Sequence, residues 1–340
     1  KKSLMTLGVL ALFVLMAYGQ EKKFALYSVA FYNMENLFDT IHDEGKNDYE
    51  YLPNGTNQWN TMKYKAKLKN MSEILSMLST DKLPMGPAII GVSEIENYRV
   101  LEDILKQPAL ADRGYQYVHY EGADQRGVDC AFFYNPKLFE LTNSKLVPYV
   151  YINDTVHKTR GFLIASGNIA GEKMHFIVNH WPSRAAASPA RERAGEQVRA
   201  IKDSLLREDS AAKIVIMGDM NDDPMDKSMA VALGAKRKPA DVGPTDLYNP
   251  WWDTLKKGYG TLMYKGKWNL FDQIVFTGNL LGTDRSTLKF YKHEIFRRDF
   301  MFQKEGKYKG YPKRTQAGGV WLNGYSDHLP TIIYLIKEVK

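Results

Sequence analysis

The chain has 340 residues, 44% of them hydrophobic and 25% charged, which is enough for one large or two ordinary domains with a buried core. This composition excludes a disordered chain, and the single cysteine, Cys130, excludes an internal disulfide. Lys and Arg outnumber Asp and Glu by 46 to 39, a net charge of +7. Such a charge suits an anionic partner but also serves solubility, so composition alone names no partner.

Residues 1–19 have the order of a secretory signal peptide, with two lysines, an apolar run over residues 4–17 and the small residue Gly19. The run is short and flanked on one side only, so it does not predict a membrane-spanning helix, although an uncleaved anchor is the alternative. No cysteine stands near the cleavage point, which argues against lipid attachment. We therefore expect an exported protein, periplasmic or extracellular, with one domain over residues 20–340.

Strand-like and helical segments alternate from residue 23 onward. Helical spacing of apolar residues predicts helices over residues 64–78, 100–110 and 189–206, the last with Ser188 as its cap. About eight segments rich in β-branched and aromatic residues predict strands: FALYSVAFYN, PAIIGVSE, YQYVHYEG, VDCAFFYN, MHFIVNHW, KIVIMGDMN, LFDQIVFTG and TIIYLIKEV. No repeat or linker divides the chain, so we expect an α/β domain of sheets covered by helices.

Residues 212–224, AKIVIMGDMNDDP, combine an apolar strand with a cluster of oxygen ligands. The β-branched run is short enough for a strand buried on both faces. Asp219, Asn221, Asp222 and Asp223 follow it within five residues. Such a cluster at the carboxyl end of a buried strand is how α/β enzymes hold a hard cation or activate a water. An Asp- and Asn-rich turn closed by Pro224 is the alternative, and we expect Asp222 and Asp223 to be turn formers.

Six polar clusters lie at the boundaries of the predicted strands. They occur in NMEN from Asn33, SEIEN with Glu94, NHWPSR with His180, GDMNDDP, FDQ with Asp272, and SDH with His328. Each cluster alone is ordinary, but together they supply carboxylates, amides and imidazoles at many strand ends. We therefore expect one site assembled from loops at one edge of a sheet.

These motifs, in this order, resemble the endonuclease/exonuclease/phosphatase superfamily, which includes DNase I-like nucleases, abasic-site endonucleases, neutral sphingomyelinases and inositol-polyphosphate phosphatases. The resemblance covers essentially the whole chain after residue 19, and GDMN with SDH is a specific pair. It implies a four-layered αββα sandwich, a divalent metal, usually Mg²⁺ with Mn²⁺ or Ca²⁺ as alternatives, and hydrolysis of a phosphate ester by activated water.

The resemblance also implies roles for individual residues. Glu94 is the main metal ligand, with Asn33, Glu35 and Asp327 completing or flanking the metal site. Asp219 orients or deprotonates the attacking water, and Asn221 binds a phosphate oxygen. His328, held by Asp272, binds the scissile phosphate or transfers a proton, and His180 lies near the leaving oxygen. Which group is the general base stays open at this point.

The substrate is less clearly marked. Arg126 and Arg184 are candidate phosphate-binding residues, and further arginines follow in residues 191–199. Aromatic residues interleave with lysines over residues 251–268, a pattern that suits a nucleic acid with stacked bases but also a packed hairpin. We expect an exported, monomeric nuclease with no obligate protein partner. The alternatives are a phosphatase or phosphodiesterase acting on small or lipid phosphates, and a non-catalytic binding protein on the same fold.

Two groups of titratable residues are assigned no chemistry. Glu96 is expected to be solvated or to cap a helix, because acids are favoured near helix starts. Five histidines lie outside the motifs and are expected to be surface or packing residues: His42, His119, His157, His175 and His293. Cys130 lies in an apolar run and is expected to be buried.

Overall fold

The computed structural model describes residues 22–152, 154 and 156–339. The predicted signal peptide therefore lies outside the described residues. Within the described part of the chain, no helix is both long and apolar enough to cross a membrane.

A six-stranded sheet forms one half of the molecule. Its strands, numbered in chain order, are β1 (Lys23–Leu37), β2 (Ile89–Ile95), β3 (Gln116–His119), β4 (Asp129–Tyr134), β14 (Lys289–Ile295) and β17 (Thr331–Val339). Their order across the sheet is β14-β17-β1-β2-β4-β3. The central pair, β1 and β2, is parallel, so the carboxyl ends of these two strands lie at the same edge.

A seven-stranded sheet forms the other half. Its strands are β5 (Glu140–Val147), β6 (Phe162–Ile169), β7 (Glu172–His180), β8 (Lys213–Asp219), β9 (Ala235–Lys236), β10 (Leu247–Tyr248) and β13 (Asp272–Thr277). Their order is β5-β6-β7-β8-β13-β10-β9, with β7 parallel to β8. Two small hairpins stand apart: β11 (Leu262–Tyr264) with β12 (Lys267–Asn269), and β15 (Gln316–Ala317) with β16 (Val320–Trp321).

Four α-helices accompany the sheets: α1 (Thr61–Met77), α2 (Tyr98–Leu105), α3 (Ser188–Glu208) and α4 (Trp252–Lys256). Asn60 and Asn97 cap α1 and α2 by accepting hydrogen bonds from backbone N–H groups of the first turn. The prediction that Ser188 caps α3 is wrong. Ala187 holds the cap position without a side-chain bond, and Pro189 in the first turn sets the helical φ angle.

Alternate residues of the central strands pack into different layers, because successive side chains of a strand point to opposite faces. On β1, Ala30 and Tyr32 pack with residues of α1 and α2. Val29 and Phe31 pack instead with residues of the second sheet, such as Val178. Residues of β8 continue the pattern towards α3. The layers therefore run helix, sheet, sheet, helix, and the predicted αββα sandwich is confirmed.

The two sheets approach closely beneath the site. A Cβ atom added to Gly91 of β2 would lie 2.5 Å from Sδ of Met217 on β8, so only glycine fits at this position. All eight predicted strand segments contain a strand of the fold. The prediction missed the six strands of two or three residues and three longer strands, β5, β6 and β14. Strands β5 and β14 carry polar residues at the sheet edges, which interrupts the apolar pattern.

Candidate active site

The polar clusters predicted from the sequence meet at one edge of the two sheets. In β1 and β2, Asn33 lies beside Ser93, one residue before Glu94. In the second sheet, Asp219 ends β8 beside His180 on one side and Asp272 on the other. His328 lies three residues before β17 begins. The structure therefore brings the predicted strand ends together, but they come from the edges of two sheets rather than one.

The backbone at this edge takes an unfavourable conformation at four non-glycine residues. Glu35, Asn36, Glu94 and Asn221 have φ angles of 46°, 51°, 59° and 52°. Positive φ is uncommon for residues with a Cβ atom, and it persists where the surrounding structure holds it in place. The strand ends here turn sharply, and each turn presents polar side chains of the site.

Asn33 connects the two sheets through its side-chain amide. Its Nδ2 donates to Glu94 Oε1 and to Asp219 Oδ2, both at 3.0 Å. Its Oδ1 accepts from the backbone N–H of Glu35 at 2.8 Å, and the N–H of Asn36 donates to the second oxygen of Glu94 at 2.9 Å. Asn33 thus holds the two carboxylates in place, whereas the sequence assigned it to the metal site as a ligand.

Glu94, His180 and Asp219 form a group with metal-ligand spacing, with one ligand atom of each within 4.8 Å of the others. His180 Nε2 is 3.7 Å from Glu94 Oε1 and 3.7 Å from Asp219 Oδ2. Burial, with repulsion from Asp272 and Glu94, raises the pKa of Asp219 to about 7, although His328 opposes the rise. Buried carboxylates that repel one another gain stability from a cation, so the donor set fits a divalent metal.

His328 and Asp272 form the predicted pair. The imidazole Nδ1 lies 2.7 Å from Asp272 Oδ2, and both side chains are buried. Burial opposes the charged imidazole, but Asp272 and Asp219 outweigh burial and raise the pKa of His328 well above its ordinary value. Its Nε2 lies 3.9 Å from Asp219 and 3.9 Å from Asp327. An imidazolium is therefore fixed at the edge of the carboxylate group, where it can bind a phosphate oxygen.

His180, unlike His328, is held in its neutral form. Burial, followed by the positive charges of Arg160 and Arg126, lowers the pKa of His180 well below its ordinary value. Its Nδ1 is buried without a hydrogen-bond partner. The neutral imidazole can ligate a metal or donate one hydrogen bond, but it holds no spare proton near pH 7.

Two arginines lie on the His180 side of the site. Arg126, a predicted phosphate-binding residue, has a side chain that is 47% exposed, and its Nε is 3.8 Å from Asp124. Arg160 was not predicted. Its guanidinium is buried and donates to the carbonyl oxygen of Trp181 at 2.9 Å and to Asp124 at 3.0 Å. No motif surrounds Arg160 in the sequence, so no local signal identified it.

Asn221 braces the loop that follows Asp219. Its backbone N–H donates to Asp219 Oδ1 at 2.9 Å, and its Nδ2 donates to the carbonyl oxygen of Trp181 at 3.0 Å. These bonds fix the carboxylate orientation of Asp219. The predicted contact of Asn221 with a phosphate oxygen stays a prediction.

Glu35 and Asp327, two predicted metal-site residues, are joined by Arg314. The guanidinium contacts Glu35 at 2.8 Å and Asp327 at 2.9 Å. The second oxygen of Glu35 accepts from the N–H of Thr315 at 2.7 Å and lies 3.9 Å from the buried Lys67 Nζ. Neither carboxylate belongs to a group with metal-ligand spacing among the described residues. Both line the side of the site that faces Arg314.

Glu35 and Lys67 form the buried end of this charged network, whereas Arg314 and Asp327 are partly exposed. Burial and repulsion from Asp327 raise the pKa of Glu35 to about 7, while burial lowers the pKa of Lys67 to about 8. Sequence reasoning overlooked Lys67, although it lies within the apolar face of α1 between Tyr64 and Met71. A lysine on the apolar face of a predicted helix indicates a buried acidic or hydrogen-bonding partner.

Arg184, the second predicted phosphate-binding residue, is engaged by acidic side chains. It lies 3.3 Å from Asp222, 3.3 Å from Asp223 and 2.9 Å from Asp226. Arg191 is buried and lies 2.9 Å from Asp222. Asp222 and Asp223 lie in the turn region after β8, as expected, and both also pair with arginines. Because these aspartates neutralise the guanidinium, Arg184 attracts a substrate phosphate only weakly.

Glu96 also differs from its prediction. It is only 2% exposed, and its carboxyl accepts a hydrogen bond from the N–H of Asp39 at 2.7 Å. The cap of α2 is Asn97 instead. Burial and repulsion from Asp39 raise the pKa of Glu96 to about 9, so it is neutral at pH 7. Cys130 is buried as predicted.

Comparisons with known proteins agree with this geometry. The model of the Endonuclease/Exonuclease/phosphatase family matches residues 28–337. A search of curated proteins returns no match.

Three solved structures share the fold. An endonuclease/exonuclease/phosphatase family protein from Bacteroides thetaiotaomicron is 15% identical with a TM-score of 0.58, covering 94% of this chain and 97% of that chain. TDP2 from D. rerio, complexed with single strand DNA product, is 15% identical with a TM-score of 0.53, covering 92% and 99%. A mannosyl-6-phosphatase from Bacteroides thetaiotaomicron is 14% identical with a TM-score of 0.56, covering 91% and 99%.

The family model spans nearly the whole described chain and includes every strand end of the site. The protein therefore belongs to the endonuclease/exonuclease/phosphatase family, the DNase I-like hydrolases of phosphate esters.

Proposed function

We propose that this chain hydrolyses phosphate esters with a bound divalent metal, Mg²⁺ in the first instance, and that its substrate is nucleic acid. The observation that carries the proposal is the group formed by Glu94, His180 and Asp219 beside the His328–Asp272 pair. It combines negative charge for a cation, a carboxyl with a pKa near neutrality, and a fixed imidazolium. Hydrolysis of a phosphate ester by water uses all three.

Each residue has a role that its surroundings favour. When bound, the metal polarises a phosphoryl oxygen and offsets the charge that develops there. Asp219, whose pKa is raised to about 7, orients the attacking water and accepts its proton. His328 donates from Nε2 to a non-bridging oxygen. His180 is neutral, so its role near the leaving oxygen is to donate a hydrogen bond.

Support for a nucleic acid comes from charge and from one relative. The chain carries a net charge of +7, and the D. rerio TDP2 structure is described with a single strand DNA product. The arginines after His180 no longer support this proposal, since Arg184 and Arg191 are held by aspartates. The proposal of a nucleic acid substrate therefore rests on basic residues elsewhere on the protein surface.

A compact phosphate ester is the second candidate. A cavity of about 170 Å³ opens beside Glu35 and Arg314, with Tyr51 and Trp59 in its wall. This volume suits a small polar group, and one relative with the same fold is described as a mannosyl-6-phosphatase. We also propose export, from the signal-like order of residues 1–19.

A substrate panel tests the proposal. The chain is incubated with single-stranded DNA, duplex DNA, RNA, bis-p-nitrophenyl phosphate, sugar phosphates, inositol phosphates and sphingomyelin, in Mg²⁺, Mn²⁺, Ca²⁺ or EDTA. We expect metal-dependent cleavage of a nucleic acid at lower concentration than any small ester. Rapid hydrolysis of sugar or inositol phosphates with DNA and RNA left intact would instead support the second candidate.

A further inference from the structure

The positive charge of the chain is concentrated on two segments. Residues 297–313 contain six basic and two acidic residues, and residues 262–269 contain two lysines and no acid. Together these segments carry a net charge of +6, against +7 for the whole chain. The remaining charges of the protein nearly cancel. We call these two segments the basic–aromatic surface.

The lysines of this surface have no acidic partners. Within residues 22–152, 154 and 156–339, none of its six lysines forms an ion pair: Lys265, Lys267, Lys304, Lys307, Lys309 and Lys313. Five of them are exposed, and Lys313 is half-buried. Arg184, by contrast, contacts three aspartates. The basic–aromatic surface therefore gathers six lysines whose charge can meet an anion, whereas the charge of Arg184 is already paired.

Exposed aromatic rings lie among these lysines. The side chains of Tyr264, Tyr308 and Tyr259 are 62%, 53% and 52% exposed. Lys265 and Lys307 lie over the rings of Tyr264 and Tyr308, with Nζ 5.3 and 5.6 Å from the ring centroids. Exposed tyrosines have no packing reason to occupy such positions, whereas bases of a single strand stack on rings of this kind.

The two segments form one continuous surface. The guanidinium of Arg297 lies 5.0 Å from the ring of Trp268 in one segment and 5.0 Å from the ring of Phe302 in the other. The N–H of Gly266 donates to the hydroxyl of Tyr311 at 2.6 Å. A cleft of about 390 Å³ lies along residues 297–310, with Arg297, Lys304 and Lys309 in its lining.

This surface begins at the catalytic centre. Leu262 forms an isolated β-bridge with His328, and the N–H of Leu329 donates to the carbonyl oxygen of Thr261 at 2.9 Å. At the other end, Lys313 precedes Arg314, the residue that joins Glu35 and Asp327. A polymer whose phosphate lies at His328 therefore passes directly onto the lysines and tyrosines.

We propose that the basic–aromatic surface binds the flank of a single-stranded nucleic acid, with phosphates on the lysines and bases on the tyrosines. This inference rests on the proposed function for its substrate, but binding can be measured without turnover. An anionic membrane is the other polyanion of this size. We favour nucleic acid because the exposed rings of this surface are mainly tyrosines beside lysines, without the exposed aliphatic run that insertion into lipid needs.

Binding is tested in EDTA by fluorescence anisotropy with a labelled single-stranded oligonucleotide, and a gel checks that the oligonucleotide stays intact. The test variant replaces Lys304, Lys307 and Lys309 with Ala. We expect its Kd to rise about tenfold or more in low salt. Each lost contact removes about 0.7 from the slope of log K against log salt, so the slope should flatten by about 2.

A matched variant replaces three exposed lysines elsewhere that form no ion pair with any residue the structure describes: Lys137, Lys145 and Lys238. The Kd of this variant for the oligonucleotide should change less than about twofold, because these lysines lie outside the basic–aromatic surface. Tyr264→Ala with Tyr308→Ala should weaken binding by about fivefold or more while leaving the salt slope unchanged. Circular dichroism checks that all variants fold.

Three results would overturn the inference: equal loss in the two triple variants, unchanged binding in the Lys304, Lys307 and Lys309 variant, or tighter binding to vesicles of anionic lipid than to the oligonucleotide. A different result would contradict the proposed function without contradicting this inference. If the strand binds here but is not cleaved with any metal, the surface stands and the nuclease proposal falls.

Discussion

Replacing Asp272 with Asn removes the charge that holds His328 protonated. The two side chains are 2.7 Å apart, Asp272 is 0% exposed and His328 is 6% exposed, so water screens their attraction little. An opposite charge in contact usually moves a pKa by about 1 to 3 pH units. Asp219, 3.9 Å from Nε2, retains part of the attraction in the variant. We therefore expect the pKa of His328 to fall in Asp272→Asn, because the largest attraction that raises it is removed.

The sign of the effect on activity follows from the form of His328 that works. The imidazolium binds the phosphate, so activity falls as pH rises through the pKa of His328. Because the carboxylate raises that pKa in the natural chain, Asp272→Asn should move the alkaline fall of kcat/KM to lower pH.

The assay is hydrolysis of bis-p-nitrophenyl phosphate over a pH series, with an NMR titration of the imidazole as a second readout. Asp284→Asn, at an exposed position in the segment between β13 and β14, is the matched control and should keep the natural profile. An alkaline limb that is identical in Asp272→Asn and the natural chain, with the fold intact, would refute the pairing.

Three further changes test the energetics. Lys67→Met should lower the free energy of unfolding by about 1 to 3 kcal/mol, because it removes the buried donor to Thr315 and to the carbonyl oxygen of Tyr325, whereas Glu35 keeps its pair with Arg314. A loss below about 1 kcal/mol in urea unfolding would contradict this. Glu96→Gln should stabilise the chain relative to the natural protein, and increasingly so from pH 5 to 8. The pKa of Glu96 is about 9 in the folded chain and about 4.3 in the unfolded chain, so between these values only the folded chain keeps the proton. The free energy of unfolding of the natural chain therefore declines by up to about 1.4 kcal/mol per pH unit, whereas glutamine has no proton to lose. An unchanged difference between pH 5 and 8 would count against that pKa. Arg184→Ala should leave kcat/KM on DNA within about twofold, because aspartates already neutralise the charge of Arg184. It should lower the free energy of unfolding by less than about 1 kcal/mol. A large rise in KM would show that Arg184 contacts the substrate.

The sequence predicted which strand ends meet at the candidate site because the site residues lie next to strongly patterned strands. The run before Asp219 is continuous and apolar, as expected for a strand buried on both faces, and the polar residues follow at once. Parallel strands place their carboxyl ends at one edge of a sheet, so Asn33 could be expected beside Glu94, and His180 beside Asp219. The pairing of His328 with Asp272 came from the family resemblance.

Partners distant in the sequence were beyond this reasoning. Arg314 and Glu35 are 279 residues apart, and no local pattern records that they meet. The neutralisation of Arg184 by Asp222 depends on the path of two loops, which periodicity does not describe. Edge strand β5 was missed because only one of its neighbours is a strand, so polar residues can occupy its exposed positions.

The most direct test of the central claim compares Glu94→Gln with the natural chain in Mg²⁺ and in EDTA. Glutamine keeps the shape of the side chain and the bond from the N–H of Asn36, but it loses the charge that holds a cation. Glu208→Gln, at the exposed end of α3, is the matched control. The account predicts that Glu94→Gln lowers turnover by orders of magnitude with an unchanged fold, that EDTA abolishes turnover of the natural chain, and that Glu208→Gln is fully active. Full activity of the natural chain in EDTA, or of Glu94→Gln in Mg²⁺, would contradict it.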